Sequence, residues 1–140
     1  AGFRLELPWR SSAYASFGRS SRSGDSRSSL NQMYGLAKSN ILRTGIRVDA
    51  RYSKFASSFG RGAYRALSVS RSFGERIRFD LQAGEQNYAS AFTNQNRARF
   101  INSSVDWFLA AHYALGGGYT LYRSPTQSYD QMYVNLGYRF

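Results

Sequence analysis

The feature that most constrains the fold is an unbroken alternation of lipophilic and polar residues in "LRTGIRVDARY", residues 42–52. Its lipophilic phase consists of Leu42, Thr44, Ile46, Val48, Ala50 and Tyr52. Its polar phase includes Arg43, Arg47, Asp49 and Arg51. Successive side chains of a strand point to opposite faces, so this segment predicts a strand with one lipophilic and one charged face.

The same period of two recurs along the chain, and no segment of comparable length shows the helical period of 3.6. The segments that begin at Ile77, Ile101, Leu115 and Met132 are the clearest further examples. The sequence therefore predicts an all-β chain. We expect eight strands, at about 11–19, 29–38, 41–54, 62–73, 76–88, 98–109, 113–123 and 129–140.

The connections between these strands alternate in length. "SSRSGDSRS", "KFASSFGRG", "YASAFTNQNR" and "SPTQS" are the long ones, and "KSN", "FGE" and "AAH" are brief. In an up-and-down sheet all the long connections then lie at one end. Strand length is also informative, because a tilted strand needs about 9–11 residues to cross a membrane, whereas soluble strands average about 5–6. Residues 42–52 alternate along their whole length, which favours the membrane strand.

Charge and composition limit the classes of function. The chain has 19 basic and 8 acidic residues, and only Lys38 and Lys54 are lysines. A basic chain rich in aromatic residues first suggests nucleic-acid binding. Its arginines, however, are dispersed from Arg4 to Arg139 and alternate with lipophilic residues, which disfavours one basic patch.

Catalytic and metal-binding chemistry finds little support in the sequence. The chain has no cysteine, and its only histidine, His112, lies at a predicted short turn. No cluster of His, Asp and Glu has metal-ligand spacing. We therefore expect no catalytic residue, no metal and no cofactor, and we expect that the protein is not an enzyme.

The carboxyl-terminal segment "QMYVNLGYRF" is amphipathic and ends in an aromatic residue. It resembles the terminal assembly signal of bacterial outer-membrane proteins, with matching positions at Val134, Leu136, Tyr138 and Phe140. The whole chain resembles, in architecture, small eight-stranded barrels of the OmpX and OmpA kind. The resemblance implies a Gram-negative outer-membrane location and recognition of the last strand by the barrel-assembly machinery.

Together these observations predict a transmembrane antiparallel up-and-down β-barrel of eight strands, with long external loops and short periplasmic turns. Residues 1–140 form a single domain, in which residues 1–10 are a periplasmic lead-in or the stub of an earlier strand, since "GFRLEL" also alternates. The expected lumen-facing charge network consists of Arg43, Arg47, Asp49, Arg51, Arg78, Asp80, Asp106 and Arg139.

Three functions remain open. The first is a structural or surface-interaction role, in which Arg and Asp fill the narrow interior of a small barrel. The second is a portion of a larger, porin-like barrel or oligomer, an export channel for instance, with an arginine-rich lumen that favours anions. The third is a soluble basic protein that binds nucleic acid.

The barrel interpretations imply a lipid bilayer as partner and no nucleic acid. Lipopolysaccharide is a further candidate partner. Arg65 and Arg71 share the phase of Leu67 and should face lipid. The loop arginines either bind lipopolysaccharide phosphates or are simply solvated; they are Arg19, Arg22, Arg27, Arg61, Arg97 and Arg123.

Overall fold

The structure is a computed structural model that describes residues 1–20, 29–41, 43–90, 96–109 and 112–138. The described residues form nine strands and belong to a single sheet. The strands are β1 (Gly2–Leu7), β2 (Ser11–Ser20), β3 (Ser29–Ile41), β4 (Ile46–Ala56), β5 (Gly60–Phe73), β6 (Ile77–Ser90), β7 (Asn96–Phe108), β8 (Tyr113–Arg123) and β9 (Ser128–Tyr138).

The sheet is an antiparallel meander in which each strand pairs with the next along the chain. This confirms the all-β, up-and-down prediction and is compatible with a β-barrel. The expected count of eight strands is wrong, because residues 2–7 form a ninth. Phe3 lies opposite Ala15 and Leu7 opposite Ser11. The segment alternates but is only 6 residues long and is followed by Pro8, which cannot donate a ladder hydrogen bond.

The connections are more uniform than the sequence suggested. Residues 57–59 alone join β4 to β5, because both strands extend into "KFASSFGRG". The longest interval between consecutive strands, 21–28, lies outside the described residues. We call the end of the sheet that carries connections 21–28, 57–59, 91–95 and 124–127 the loop end, and the opposite end the turn end.

The turn between β3 and β4 explains why the alternating segment becomes a strand only from Ile46. Arg43 and Gly45 have positive φ angles of 59° and 74°, which a strand does not allow. Thr44 donates from Oγ1 to the carbonyl oxygen of Ile41 at 2.6 Å, and Asn40 accepts from the Gly45 N–H at 3.1 Å. Thr44 therefore lies in a turn, and Leu42 lies outside the described residues.

The register divides the sheet into two faces, because directly opposed residues of antiparallel strands point to the same side. The apolar face contains, in one row, Leu5, Ala13, Leu36, Ala50, Leu67, Ala83, Ile101 and Leu121. The adjacent row of paired residues lies on the polar face and contains Glu6, Ser12, Ala37, Asp49, Ser68, Gln82, Asn102, Thr120 and Gln131.

The most buried residues of the polar face are small, and large neighbouring side chains lie over several of its glycines. Ala66 and Ala98 are among these buried residues. The ring of Tyr14 on β2 occupies the space above Gly35 on β3, so that a Cβ atom at Gly35 would overlap it. Glycine at this position thus allows a large side chain to span three strands.

Candidate functional site

The polar face is organised by hydrogen bonds that cross several strands. Arg51 donates from Nε to the hydroxyl of Tyr14 at 2.9 Å, two strands away. The same guanidinium group lies 3.6 Å from a carboxylate oxygen of Asp49. Tyr14 reaches Arg51 because Gly35 lies between them. The three side chains tie β2 to β4 independently of the backbone ladder.

Three further polar contacts extend the network toward β8, two of them between strands and one within β6. Gln82 donates to the hydroxyl of Tyr64 at 3.2 Å, and Gln86 donates to that of Tyr122 at the same distance. At the turn end, Arg78 Nε lies 2.8 Å from Asp80 Oδ2. The polar face is therefore a network of short pairs and not a continuous row of one charge.

The structure describes seven of the eight residues of the expected lumen-facing charge network. Six of its members share the polar face: Arg47, Asp49, Arg51, Arg78, Asp80 and Asp106. Arg43 lies instead in the turn before β4, where its positive φ angle takes it out of the alternation. Arg139 lies outside the described residues.

Charge is balanced on the polar face. Its described strand residues carry four arginines and four carboxylates, namely Arg4, Arg47, Arg51, Arg78, Glu6, Asp49, Asp80 and Asp106. The sequence suggested five arginines against three aspartates. The two counts differ because Arg43 and Arg139 are not among the described strand residues of this face. Strand β1 in turn adds one arginine, Arg4, and one carboxylate, Glu6.

The excess positive charge lies on the apolar face. Its described strand residues include nine cations and two carboxylates: Arg19, Lys38, Lys54, Arg61, Arg65, Arg71, Arg97, Arg99, Arg123, Glu85 and Asp130. All except Lys38 and Arg71 lie toward the loop end of their strands. The apolar face thus consists of a lipophilic band with a basic border.

At the centre of this border three arginines converge on one carboxylate, and we call Arg65, Arg97, Arg99 and Glu85 the arginine cluster. Glu85 Oε1 is 3.0 Å from Arg65, and Oε2 is 2.6 Å from Arg97 and 3.5 Å from Arg99. Glu85 is only 8% exposed. It lies between Arg65 on β5 and Arg99 on β7, directly opposite both.

Two cavities meet at the arginine cluster. A polar recess of about 340 Å³ is lined by Tyr52, Ala63, Tyr64, Arg65, Glu85, Asn87 and Arg97. An apolar groove of about 690 Å³ runs from there across the lipophilic band toward β1 and includes Tyr52, Arg65 and Glu85 in its lining. The two cavities therefore share three residues.

Sequence reasoning placed Arg65 on the lipophilic phase but missed Glu85. The phase Ile77, Phe79, Leu81, Ala83 continues to Glu85, so this carboxylate falls on a lipophilic face. A buried charge needs partners. A carboxylate in a lipophilic phase could therefore have predicted an ion-pair cluster at Glu85.

The proposed assembly residues lie on the last strand. Val134, Leu136 and Tyr138 share the apolar face of β9, and the first two are each 72% exposed. Phe140 lies outside the described residues. Every residue of β9 is exposed, as is every residue of β1.

The described part of the chain contains no group of three or more His, Asp or Glu side chains able to hold a metal ion. The ring of His112 lies near that of Tyr138, with centroids 6.0 Å apart and planes tilted by 34°. Within the same residues, no helix has the length and apolar character needed to cross a membrane.

No family model, curated protein or solved structure matches the chain.

Proposed function

We propose that this chain forms the wall of a β-barrel in a bacterial outer membrane, with the apolar face toward lipid and the polar face toward the interior. The observation that carries the proposal is the separation of lipophilic and polar side chains across the sheet. This alternation, on strands of up to 14 residues, is the pattern of membrane barrels.

The exposure of the apolar face supports a lipid environment. Leu36, Leu67 and Ile101 lie in one row and are 60%, 50% and 43% exposed. Soluble monomers rarely expose contiguous apolar patches larger than a few hundred Å². Lipid tails are the covering layer that this face requires.

The polar network supports a structural or surface-interaction role. Pairs such as Arg51–Tyr14 and Gln86–Tyr122 connect strands and satisfy polar groups on the polar face. A barrel of this kind needs no catalytic residue, cofactor or metal. Its last strand, through Val134, Leu136 and Tyr138, is the segment offered to the assembly machinery during insertion.

A second candidate, part of a larger channel, is favoured by the odd number of strands. In a nine-stranded meander β1 and β9 run in the same direction, so they could close a barrel only as a parallel pair. Bacterial single-chain barrels have an even number of antiparallel strands. Among the described residues neither β1 nor β9 has a second partner strand, so an odd number of additional strands would complete an antiparallel ring, whereas copies of the nine strands alone would still meet in parallel pairs.

Membrane insertion is tested with the purified chain refolded into detergent micelles and lipid vesicles. We expect it to aggregate without detergent, to become protease-resistant in vesicles and to migrate differently on gels before and after boiling. A monodisperse monomer in buffer without detergent would refute the proposal. Salt-sensitive binding to duplex DNA by such a monomer would instead favour the nucleic-acid interpretation.

Ion conduction in planar bilayers separates a closed barrel from a channel. If stable current steps occur, we expect weak selectivity, because arginines and carboxylates balance on the polar face. Asp106→Asn removes one negative charge from the polar face. The reversal potential of this variant should shift in the direction that indicates greater anion selectivity. Asp130→Asn, on the other face and exposed, is the matched control and should leave selectivity unchanged. Strong anion selectivity of the unmodified chain would contradict the charge balance.

A further inference from the structure

We propose that the arginine cluster and the adjoining groove form a binding site for a lipid whose phosphate headgroup carries a net negative charge. The inference rests on the proposed membrane location for the source of the lipid. The phosphate would occupy the polar recess between Arg65 and Arg97, and an acyl chain would lie in the apolar groove.

The recess has the chemistry of an anion site. Arginine presents several donors in a planar fork that matches phosphate oxygens. The side chains of Arg65, Arg97 and Arg99 are 64%, 52% and 70% exposed, although each contacts Glu85. Three guanidinium groups around one carboxylate leave a net positive charge. Their exposed surfaces are available to an additional anion.

Glu85 prepares the site without neutralising it. Its two oxygens hold Arg65 and Arg97 at 3.0 and 2.6 Å, which brings the two cations to the edge of the same recess. Their mutual repulsion is offset by the shared carboxylate. The arginines are therefore positioned before a ligand arrives, which lowers the entropy lost on binding.

Asn87 offers a polar contact of another kind. It lines the recess, and its Oδ1 atom is buried and has no hydrogen-bond partner among the described residues. An amide oxygen accepts hydrogen bonds, so it suits a hydroxyl or ammonium group. Headgroups that carry such a donor beside the phosphate would satisfy it.

The groove selects an amphiphile over a free anion. Small side chains, Ala15, Ala50 and Ala83, occupy positions between larger ones, and the lining includes Phe3, Tyr34, Leu36, Tyr52 and Leu67. Its volume is within the range of about 300–1,000 Å³ that is typical of ligand sites. The shared residues Tyr52, Arg65 and Glu85 place the charged and lipophilic ends of one ligand in continuous contact with the protein.

The test uses the chain folded in detergent micelles, so it does not depend on insertion into a bilayer. Dioleoyl phosphatidic acid and dioleoyl phosphatidylcholine are titrated separately, and the bound lipid is counted by native mass spectrometry. We expect about ten-fold tighter binding of phosphatidic acid, the effect of one or two charge-assisted contacts. Equal affinity for the two lipids would overturn the proposal.

The headgroup contacts are tested with the double variant Arg65→Gln, Arg97→Gln. Arg99 and Asn87 still contact Glu85 in this variant, so we expect it to fold, as checked by heat-modifiable migration, and to lose most of the preference for phosphatidic acid. A triple variant that also carries Glu85→Gln removes the buried charge and should show the same loss. Arg78→Gln is the matched control, because Arg78 is also exposed and paired with one carboxylate but lies on the polar face. An unchanged preference in the double variant, or an equal loss in the control, would overturn the site.

The groove is tested with Ala50→Phe, which fills it, and with Ile101→Phe on the same face outside it. Only the first should weaken phosphatidic acid binding, by about ten-fold for a blocked acyl chain. Competition by millimolar inorganic phosphate that abolishes lipid binding, with no effect of Ala50→Phe, would identify a free-phosphate site and overturn the lipid assignment. Failure of the chain to insert into vesicles would refute the membrane proposal and leave these micelle results separately interpretable.

Discussion

Leu81→Arg should nearly abolish folding into lipid vesicles. Leu81 is on the apolar face of β6, four residues from both Ile77 and Glu85, with Val69 and Ser103 as its cross-strand neighbours. An arginine at the midplane of a barrel wall costs about 2–4 kcal/mol. No carboxylate is directly opposite to compensate for it. The folded fraction is measured from the intensity of the heat-modifiable gel band at increasing urea concentrations. Its urea dependence gives the change in the free energy of unfolding.

Asn102→Arg is the control for this prediction. Asn102 is at the middle of β7 on the polar face, between Gln82 and Thr120. An arginine there points away from lipid, so we expect a change below about 1 kcal/mol. Equal destabilisation by the two substitutions would show that the faces are not divided between lipid and interior.

Gly84→Ala should destabilise the sheet by about 1–3 kcal/mol, the usual cost of forcing an added atom into occupied space. A Cβ atom at Gly84 would lie 2.6 Å from the backbone carbonyl oxygen of Arg65 and 2.5 Å from the ring of Phe100. The ring can rotate away, but the carbonyl belongs to the β5–β6 ladder and cannot move without disturbing it. Urea unfolding in micelles measures the loss.

Gly117→Ala is the matched control, in the middle of β8. The nearest atom to its added Cβ would be the carbonyl oxygen of Tyr133 at 3.5 Å, an ordinary van der Waals contact. We expect little change, or a small gain from the reduced entropy of the unfolded chain. If both glycines tolerate alanine equally, the close packing at Gly84 is not a determinant of stability.

Alternation alone was enough to predict the strand class and the two faces. In β4, the lipophilic residues Ile46, Val48, Ala50 and Tyr52 share one face, opposite to Arg47, Asp49 and Arg51. A period of two is a local property of the backbone, so it can be read without knowledge of the partner strands. The number of strands was less secure, because β1 is short and its pairing with β2 is a tertiary fact.

The balance of charge between the faces could not be derived in the same way. It depends on the phase of every strand relative to its neighbours, and a turn such as 43–45 removes a residue from the alternation. Because alternation alone does not reveal this turn, Arg43 was predicted to lie on the polar face. The cations of the basic border were likewise not predicted to lie together. The arginine cluster combines β5, β6 and β7, so only the register brings Glu85 to Arg65, Arg97 and Arg99.

The basic border also bears on how deep the sheet would sit in a bilayer. Each strand residue rises about 3.3 Å, so a shift of two residues toward the turn end would move the border by roughly 6–7 Å. Arg65, Arg97 and Arg99 would then enter the hydrocarbon, whereas a shift the other way would expose lipophilic residues to water. In the membrane wall that we propose, the cations on one border would oppose both shifts and would therefore set the depth and the sidedness of the sheet.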